Sequence, residues 1–148
     1  MRTKQKVFLD ACCWVAGTLS RIGGSRFILA LAKEGHIEIL ATKRIVVQTV
    51  KALGKKYGDD ELRDFLKLFS NVSPTIVEDA TDEEGARWSD LTHEDDCHVL
   101  AGAMKGKADI LVSLDRKHVV TEKVVARFPI PVMTTKEFLD WFMERTEG

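Results

Sequence analysis

Short apolar runs alternate with longer stretches of helical periodicity along this chain. The runs at residues 7–9, 37–40, 75–77, 110–114 and 130–133 have the length of strands rather than helices. Between them lie longer stretches such as Leu62, Phe65, Leu66 and Phe69, which follow the i, i+3, i+4, i+7 rule. Strands that alternate with helices are typical of βαβ units. The sequence therefore predicts a three-layer α/β/α sandwich with a mostly parallel central sheet.

Several boundaries carry helix-capping signals. Thr42 is the predicted N-cap of a helix that follows the second strand, and Thr134 with Glu137 forms a predicted capping box for the last helix. Gly106 takes the usual C-terminal position of a helix over residues 94–105. Further helices are predicted at residues 14–19, 27–32, 83–88 and 122–127.

Length and composition favour one soluble domain. A chain of 148 residues matches a single domain, which we expect to span residues 1–148. Cys12 and Cys13 are neighbours among only 3 cysteines, so a disulfide framework is not expected. Charges interrupt every apolar run before the roughly 18 residues of a membrane span. These features favour a cytoplasmic protein with no membrane partner.

Three aspartates are predicted to meet at one edge of the sheet. Asp10 ends the first strand and Asp115 follows the strand at 110–114, and ligands of parallel sheets bind beyond the carboxyl ends of strands. A helix from Asp96 to residue 105 covers about 15 Å, and the following strand returns about 16 Å. Asp96 and Asp115 are therefore expected at the same end.

Converging carboxylates repel one another unless a cation lies between them. An all-oxygen site suits Mg²⁺ or Mn²⁺, and such an ion can promote hydrolysis of a phosphodiester. Spacing alone leaves open a sheet whose acids only cap loops.

The acidic segments resemble those of a known family. The segments VFLD at residues 7–10, DCHVLA at 96–101 and ADILVSLD at 108–115 are similar, in order and spacing, to the three acidic motifs of PIN-domain proteins, including VapC-type toxins. The similarity covers about residues 7–133. It implies a parallel sheet, RNA cleavage, and Mg²⁺ or Mn²⁺ bound by Asp10, Asp96 and Asp115. Ser113 matches the family's small hydroxyl residue two places before the last acid.

The chain departs from the family pattern at two places. Gln48 stands where the family usually has a glutamate, and Ala11 and Cys12 stand where a hydroxyl residue and then Asn or Ser are usual. Gln48 supplies neither negative charge nor a general base. One interpretation is an endoribonuclease in which three aspartates suffice, with Glu94 or Asp95 in support. The alternative is a catalytically weakened module that binds RNA or a protein.

A third, weaker alternative is a receiver-like phosphoacceptor domain, which also clusters acids around Mg²⁺. The resemblance further implies that homodimers are common and that the toxin members are inhibited by an antitoxin. This chain is therefore predicted to form a homodimer and is a candidate toxin with an antitoxin partner.

Basic residues next to the acids are candidates for RNA contact, although a solvated helix face is the alternative for any single one. The net charge is −1, with 22 basic and 23 acidic residues, so an RNA site would be a local patch. The candidates are Arg44, Lys51 and Lys55 on the helix that carries Gln48, and Arg116 and Lys117 after Asp115. His118 is interpreted as a loop residue rather than a catalytic base.

Overall fold

The computed structural model describes residues 4–147 as a five-stranded, wholly parallel sheet flanked by eight helices. The strands are β1 (Gln5–Leu9), β2 (Ile37–Thr42), β3 (Thr75–Val77), β4 (Ile110–Val112) and β5 (Val132–Met133). The helices are α1 (Ala11–Leu19), α2 (Gly24–Lys33), α3 (Lys43–Lys56), α4 (Asp59–Val72), α5 (Asp82–Ala86), α6 (Cys97–Lys105), α7 (Glu122–Arg127) and α8 (Thr135–Glu147). The predicted single domain also includes residues 1–3 and 148, which lie outside the described residues.

The strand order is β3-β2-β1-β4-β5. The chain moves outward in one direction from β1 to β3 and then crosses to β4 on the other side of β1. Right-handed crossovers therefore place α1 to α4 on one face of the sheet and α5 to α7 on the other. After β5 the chain returns α8 to the first face, where it packs on α2. The predicted three-layer architecture is confirmed.

The core is built from the two faces of β1. Val7, Phe8 and Leu9 are fully buried, as expected for a central parallel strand that is covered on both sides. Phe8 lies against α6, because a Cβ at Gly102 would come within 2.9 Å of its ring. On the opposite side Trp14 forms an edge contact with Phe65 of α4. Both helical layers are thus anchored to the same strand.

The predicted caps are present at both threonines. The Thr42 hydroxyl accepts a hydrogen bond from the backbone N–H of Ile45 at 3.1 Å. Thr134 and Glu137 exchange two bonds, at 2.9 and 3.2 Å. The Thr42 cap explains why a β-branched segment becomes α3, because an N-cap and apolar residues at helical spacing override weak helix propensity.

Two predicted boundaries were wrong in ways that matter for the site. The helix expected over residues 94–105 is a 3₁₀ turn at Glu94–Asp96 followed by α6. The strand expected over residues 110–114 ends at Val112, although the Ser113 N–H still donates to the Met133 carbonyl of β5 at 3.0 Å. At the end of α6 the left-handed residue is Lys107 (φ 56°) rather than Gly106 (φ −79°). Gly106 is required for space, since a Cβ there would lie 2.8 Å from Val77 Cγ2.

No helix within residues 4–147 has both the length and the apolar character needed to cross a bilayer.

Candidate active site

The acidic residues lie where the strand order reverses. β1 and β4 are neighbours, but the chain leaves β1 towards one edge of the sheet and leaves β4 towards the other. At such a switch point the loops diverge and leave a crevice beyond the carboxyl ends of the strands. Leu9 pairs with Val112, so Asp10 and Ser113 emerge side by side at this crevice.

Asp10 is the deepest of the acids, with 6% of its surface exposed. Its Oδ1 accepts a bond from the N–H of Ala11 at 2.8 Å, and its Oδ2 accepts one from the Ser113 hydroxyl at 2.7 Å. Burial raises the pKa of this carboxyl above its ordinary value, although the Ser113 and Ala11 bonds pull it down. The charges of Asp96 and Asp115 raise the pKa further, which places the three acids within electrostatic reach of one another.

Ser113 connects two of the acids. Its hydroxyl donates to Asp10 and accepts a bond from the N–H of Asp115 at 3.1 Å. Its side chain is wholly buried, so the hydroxyl has no competing water. Because the strand stops at Val112, this hydroxyl can turn into the crevice and hold the loop that carries Asp115.

Asp115 is held by its own loop. Its Oδ1 accepts bonds from the N–H groups of Lys117 and His118, both at 2.9 Å. This is an Asx-type turn, in which a short side chain caps the backbone that follows it. The turn brings the imidazole of His118 back over the crevice.

His118 completes a compact cluster with two of the acids. Its Nδ1 lies 3.4 Å from Asp96 Oδ2 and 3.7 Å from Asp115 Oδ2. One ligand atom from each of the three residues falls within 4.8 Å of the others. His118 lies in a loop, as predicted, but its ring also faces two of the acids, which the sequence did not indicate. The sequence does place His118 three residues after Asp115, within a turn that brings its side chain back towards the acid. The prediction considered only the residues that directly follow the strands.

The cluster fits a divalent ion. Ligands about 2.1 Å from an octahedral ion are separated by about 3.0 Å when adjacent and 4.2 Å when opposite, and the distances from His118 to the two acids fall between these limits. Burial raises the pKa of the Asp96 carboxyl, and the charge of Asp115 adds to this, whereas His118 and His93 lower it. A cation among these groups would remove the repulsion between the acids.

A cleft of about 460 Å³ connects this cluster to α3. Its walls include Asp10, Asp96, Asp115, Gln48 and Lys51. The prediction that Asp96 and Asp115 share one end of the sheet agrees with their positions in this cleft. Asp10 faces the same space but lies outside the group of atoms that meet within 4.8 Å.

Cys12 also lines the cleft. Its Sγ accepts a bond from the N–H of Leu114 at 3.4 Å and lies 3.6 Å from the Ser113 hydroxyl. At the position where the family usually has Asn or Ser, the thiol thus takes part in the same loop contacts.

The remaining predicted residues are divided among neighbouring surfaces. Asp95 is exposed and turns away from the cleft into a separate pocket, which it shares with Arg44. Lys117 borders a shallow depression beside His118. Arg116 and Lys55 are exposed and do not line the cleft.

A parallel α/β sheet with clustered acids at its switch point defines a class of protein suited to metal-assisted phosphate chemistry. A family profile described as PIN domain matches residues 6–117, so the chain belongs to the PIN-domain family. This is the family of PIN-type nucleases and toxins, which generally use divalent metals. The resemblance noted in the sequence is thereby confirmed at the level of the family.

Solved structures share the fold at low sequence identity. VapBC2 from Rickettsia felis, bound to a DNA fragment from its promoter, matches at 13% identity and TM-score 0.64, covering 88% of this chain and 98% of that one. PAE2754 from Pyrobaculum aerophilum matches at 17% identity and TM-score 0.64, and the match covers 95% of this chain and 90% of that one. VapC20 from Mycobacterium tuberculosis, a sarcin-ricin loop cleaving toxin, matches at 14% and 0.56, covering 82% and 95%. No curated protein matches the chain in sequence.

Proposed function

We propose that this chain, acting as a single domain, is a divalent-metal-dependent endoribonuclease of the PIN type. The observation that carries the proposal is the cluster of Asp96, Asp115 and His118 beside buried Asp10 at the switch point of the sheet. Mg²⁺ and Mn²⁺ both suit carboxylate ligands, and the nitrogen donor of His118 favours Mn²⁺ over the harder Mg²⁺.

Each residue of the cleft has a distinct part in the proposed reaction. Asp96, Asp115 and His118 would hold the ion, and Asp10 adds the deepest negative charge. A bound divalent ion polarises a phosphoryl oxygen and lowers the pKa of water. Ser113 keeps the loop of Asp115 and the carboxylate of Asp10 in fixed positions.

Gln48 and Lys51 face the cleft from α3. The Gln48 amide can donate a hydrogen bond to a phosphate oxygen or orient a water molecule, but it cannot take up a proton. The Lys51 ammonium attracts the phosphate backbone, which the acids alone would repel. Arg44, Lys55, Arg116 and Lys117 do not line the cleft, and we propose them as further RNA contacts on the neighbouring surfaces.

The experiment is cleavage of mixed-sequence single-stranded RNA by the purified protein with and without Mn²⁺. We expect Mn²⁺-dependent cleavage by the wild type, a loss of at least about 100-fold in Asp96→Asn because a ligand charge is removed, and no change in the control Asp64→Asn. Asp64 is an exposed acid on α4 that lines a different pocket and not the cleft. Equal cleavage by the wild type and Asp96→Asn would refute the proposal.

A second candidate function is a weakened PIN module that binds RNA or protein without cutting. The neutral Gln48 side chain in the cleft is the observation that favours it. Gln48→Glu separates the two: a large gain in Mn²⁺ affinity and cleavage identifies a weakened natural site, whereas unchanged cleavage identifies a nuclease in which three aspartates suffice.

We propose that this chain forms a homodimer and acts in the cytoplasm as the toxin of a toxin–antitoxin pair. The fold shared with VapBC2 and with the toxin VapC20 supports a role of that kind. Growth arrest on expression, relieved by a small protein encoded next to this chain, tests the role, and sedimentation velocity tests the dimer. If cells that express the protein continue to grow while their RNA is cleaved, the toxin assignment is contradicted.

A further inference from the structure

A second pocket lies next to the proposed metal cleft. It has a volume of about 640 Å³, and we call it the His98 pocket after the residue in its wall. Two segments separate it from the cleft. On α3, Arg44 lines the pocket and Gln48 the cleft, four residues and about 6 Å further along the helix. In the 3₁₀ turn, Asp95 lines the pocket and Asp96 the cleft. The two cavities therefore lie within about one helical turn of each other along α3.

His98 is an unusual residue to find in such a wall. Only 6% of its surface is exposed, and within residues 4–147 neither ring nitrogen has a hydrogen-bond partner. An imidazole ring offers two nitrogens for hydrogen bonding. Buried polar groups are nearly always satisfied, so the His98 ring has unused hydrogen-bonding capacity in the wall of the pocket.

The other charged walls narrow the chemistry of that ligand. Asp82, Glu94 and Asp95 line the pocket beside Arg44, so a free phosphate or a carboxylate would meet three negative charges. A metal ion is not supported either, because the cluster of metal-ligating side chains found within residues 4–147 is the one at Asp96. A neutral group with hydrogen-bond donors on its edge can pair with these carboxylates without adding negative charge.

A nucleobase meets these requirements. Its face can stack on the guanidinium plane of Arg44, as bases of single-stranded RNA do on arginine. Carboxylates accept hydrogen bonds from exocyclic amino groups, as acidic residues do from the amino group of cytosine. Adenine, cytosine and guanine carry such an amino group and uracil does not. The small residues Gly85 and Ala86 leave room for a planar ring.

We propose that the His98 pocket binds one base of the RNA strand beside the scissile phosphate and prefers bases that carry an exocyclic amino group over uracil. This specificity site rests on the proposed function only in that RNA is the substrate. Its position makes the base that enters the pocket decide which phosphate lies over the acids.

Binding is tested without metal, so that it does not depend on cleavage. The probes are the four nucleoside 5′-monophosphates in EDTA, titrated while the ¹⁵N resonances of the His98 ring are followed by NMR. We expect the adenosine, cytidine and guanosine monophosphates to shift these resonances and to bind at least about fivefold more tightly than uridine monophosphate, the lower range for losing one base contact. Equal affinity for all four, or no shift at His98, would overturn the proposal.

Two variants and a matched control complete the test. His98→Phe removes the ring nitrogens, and Ala86→Leu fills the pocket from an exposed position of α5 that should not disturb folding. Both should abolish the preference against uridine monophosphate. Ala126→Leu makes the same change at an exposed position of α7, outside the pocket, and should preserve it. Retention of the preference in Ala86→Leu would refute the pocket.

Cleavage of base-homogeneous RNA then separates the two proposals. If wild type cuts RNA with no base preference and Ala86→Leu cuts identically, the specificity site is refuted and the nuclease stands. If nucleotides bind with the expected preference but no RNA is cut in Mn²⁺, the nuclease fails and the pocket stands.

Discussion

Removing the Ser113 hydroxyl tests the link that holds the acidic site together. Ser113→Ala deletes one bond to the Asp10 carboxylate and one to the Asp115 backbone, at 2.7 and 3.1 Å. A bond to a charged group contributes about 1.5–3 kcal/mol and a neutral one about 0.5–1.5 kcal/mol. We therefore expect the free energy of unfolding to fall by about 2–4 kcal/mol at pH 7.5, a large part of the 5–15 kcal/mol typical of a domain.

The loss should depend on pH, because the Ser113 bond stabilises the ionised form of Asp10 and lowers its pKa. Without that bond the pKa of Asp10 rises further above its ordinary value. The bond contributes most where Asp10 is ionised and least once the carboxyl is protonated. The difference between wild type and Ser113→Ala should therefore shrink as the pH falls through the pKa of Asp10 in the folded protein.

Urea unfolding in EDTA, from pH 7.5 down to pH 4, measures this difference. Thermal unfolding at pH 7.5 provides a second measurement. Its midpoint temperature should fall by roughly 5–15 °C in Ser113→Ala, since 1 kcal/mol corresponds to about 2–4 °C in a domain of this size. In an Asp10→Asn background the same substitution should have a smaller effect, because no carboxylate is left to lose a charged bond. A loss that is independent of pH and equal in both backgrounds would refute the reasoning.

Three further predictions concern other parts of the structure. Gly106→Ala should lower the free energy of unfolding by about 1–3 kcal/mol, because its Cβ would lie 2.8 Å from the Val77 Cγ2 methyl group. Gly54→Ala, whose Cβ would have nothing within 4 Å, should raise the free energy of unfolding by about 0.5–1 kcal/mol. Chemical denaturation compares the two variants, and equal effects would contradict the packing argument. The Thr81 N–H and the Lys105 ammonium lower the pKa of Glu84 to about 2, so Glu84 stabilises the fold above pH 4.5 and loses this effect towards pH 2. Between these pH values the urea midpoint of Glu84→Gln should therefore fall less than that of the wild type. Wild-type and Glu84→Gln midpoints that fall in parallel would contradict this prediction. Lys51→Ala should weaken RNA binding and reduce the salt slope by about one, while Lys33→Ala on α2 should not; fluorescence anisotropy at several salt concentrations decides, and identical slopes would exclude Lys51 as a phosphate contact.

The sequence predicts the fold and the position of the acids because both follow from periodic patterns. Asp10 is placed by the strand that precedes it, and Asp96 by the length of the helix and strand between it and Asp115. Neither inference needs side-chain detail. The wholly parallel order of the strands follows from the repeated βα pattern and the handedness of crossovers.

The features that were missed depend on local turns. Just beyond the end of β4, the Ser113 hydroxyl bonds to Asp10, a contact between residues 103 positions apart that no strand pattern reveals. His118 reaches the acids through the turn at Asp115, and turn geometry has no hydrophobic period to reveal it. Asp95 and Asp96 line different cavities, because adjacent residues of a helical turn point in different directions.

The raised pKa values of Asp10 and Asp96 also bear on how such a chain can change over evolution. A carboxylate in a buried, acidic surrounding is unfavourable unless something compensates for it, whereas an amide of the same shape is not. Replacing these carboxylates by amides would raise the free energy of unfolding and at the same time weaken ion binding. A lineage released from selection for chemistry would therefore accumulate stable proteins that no longer bind the ion.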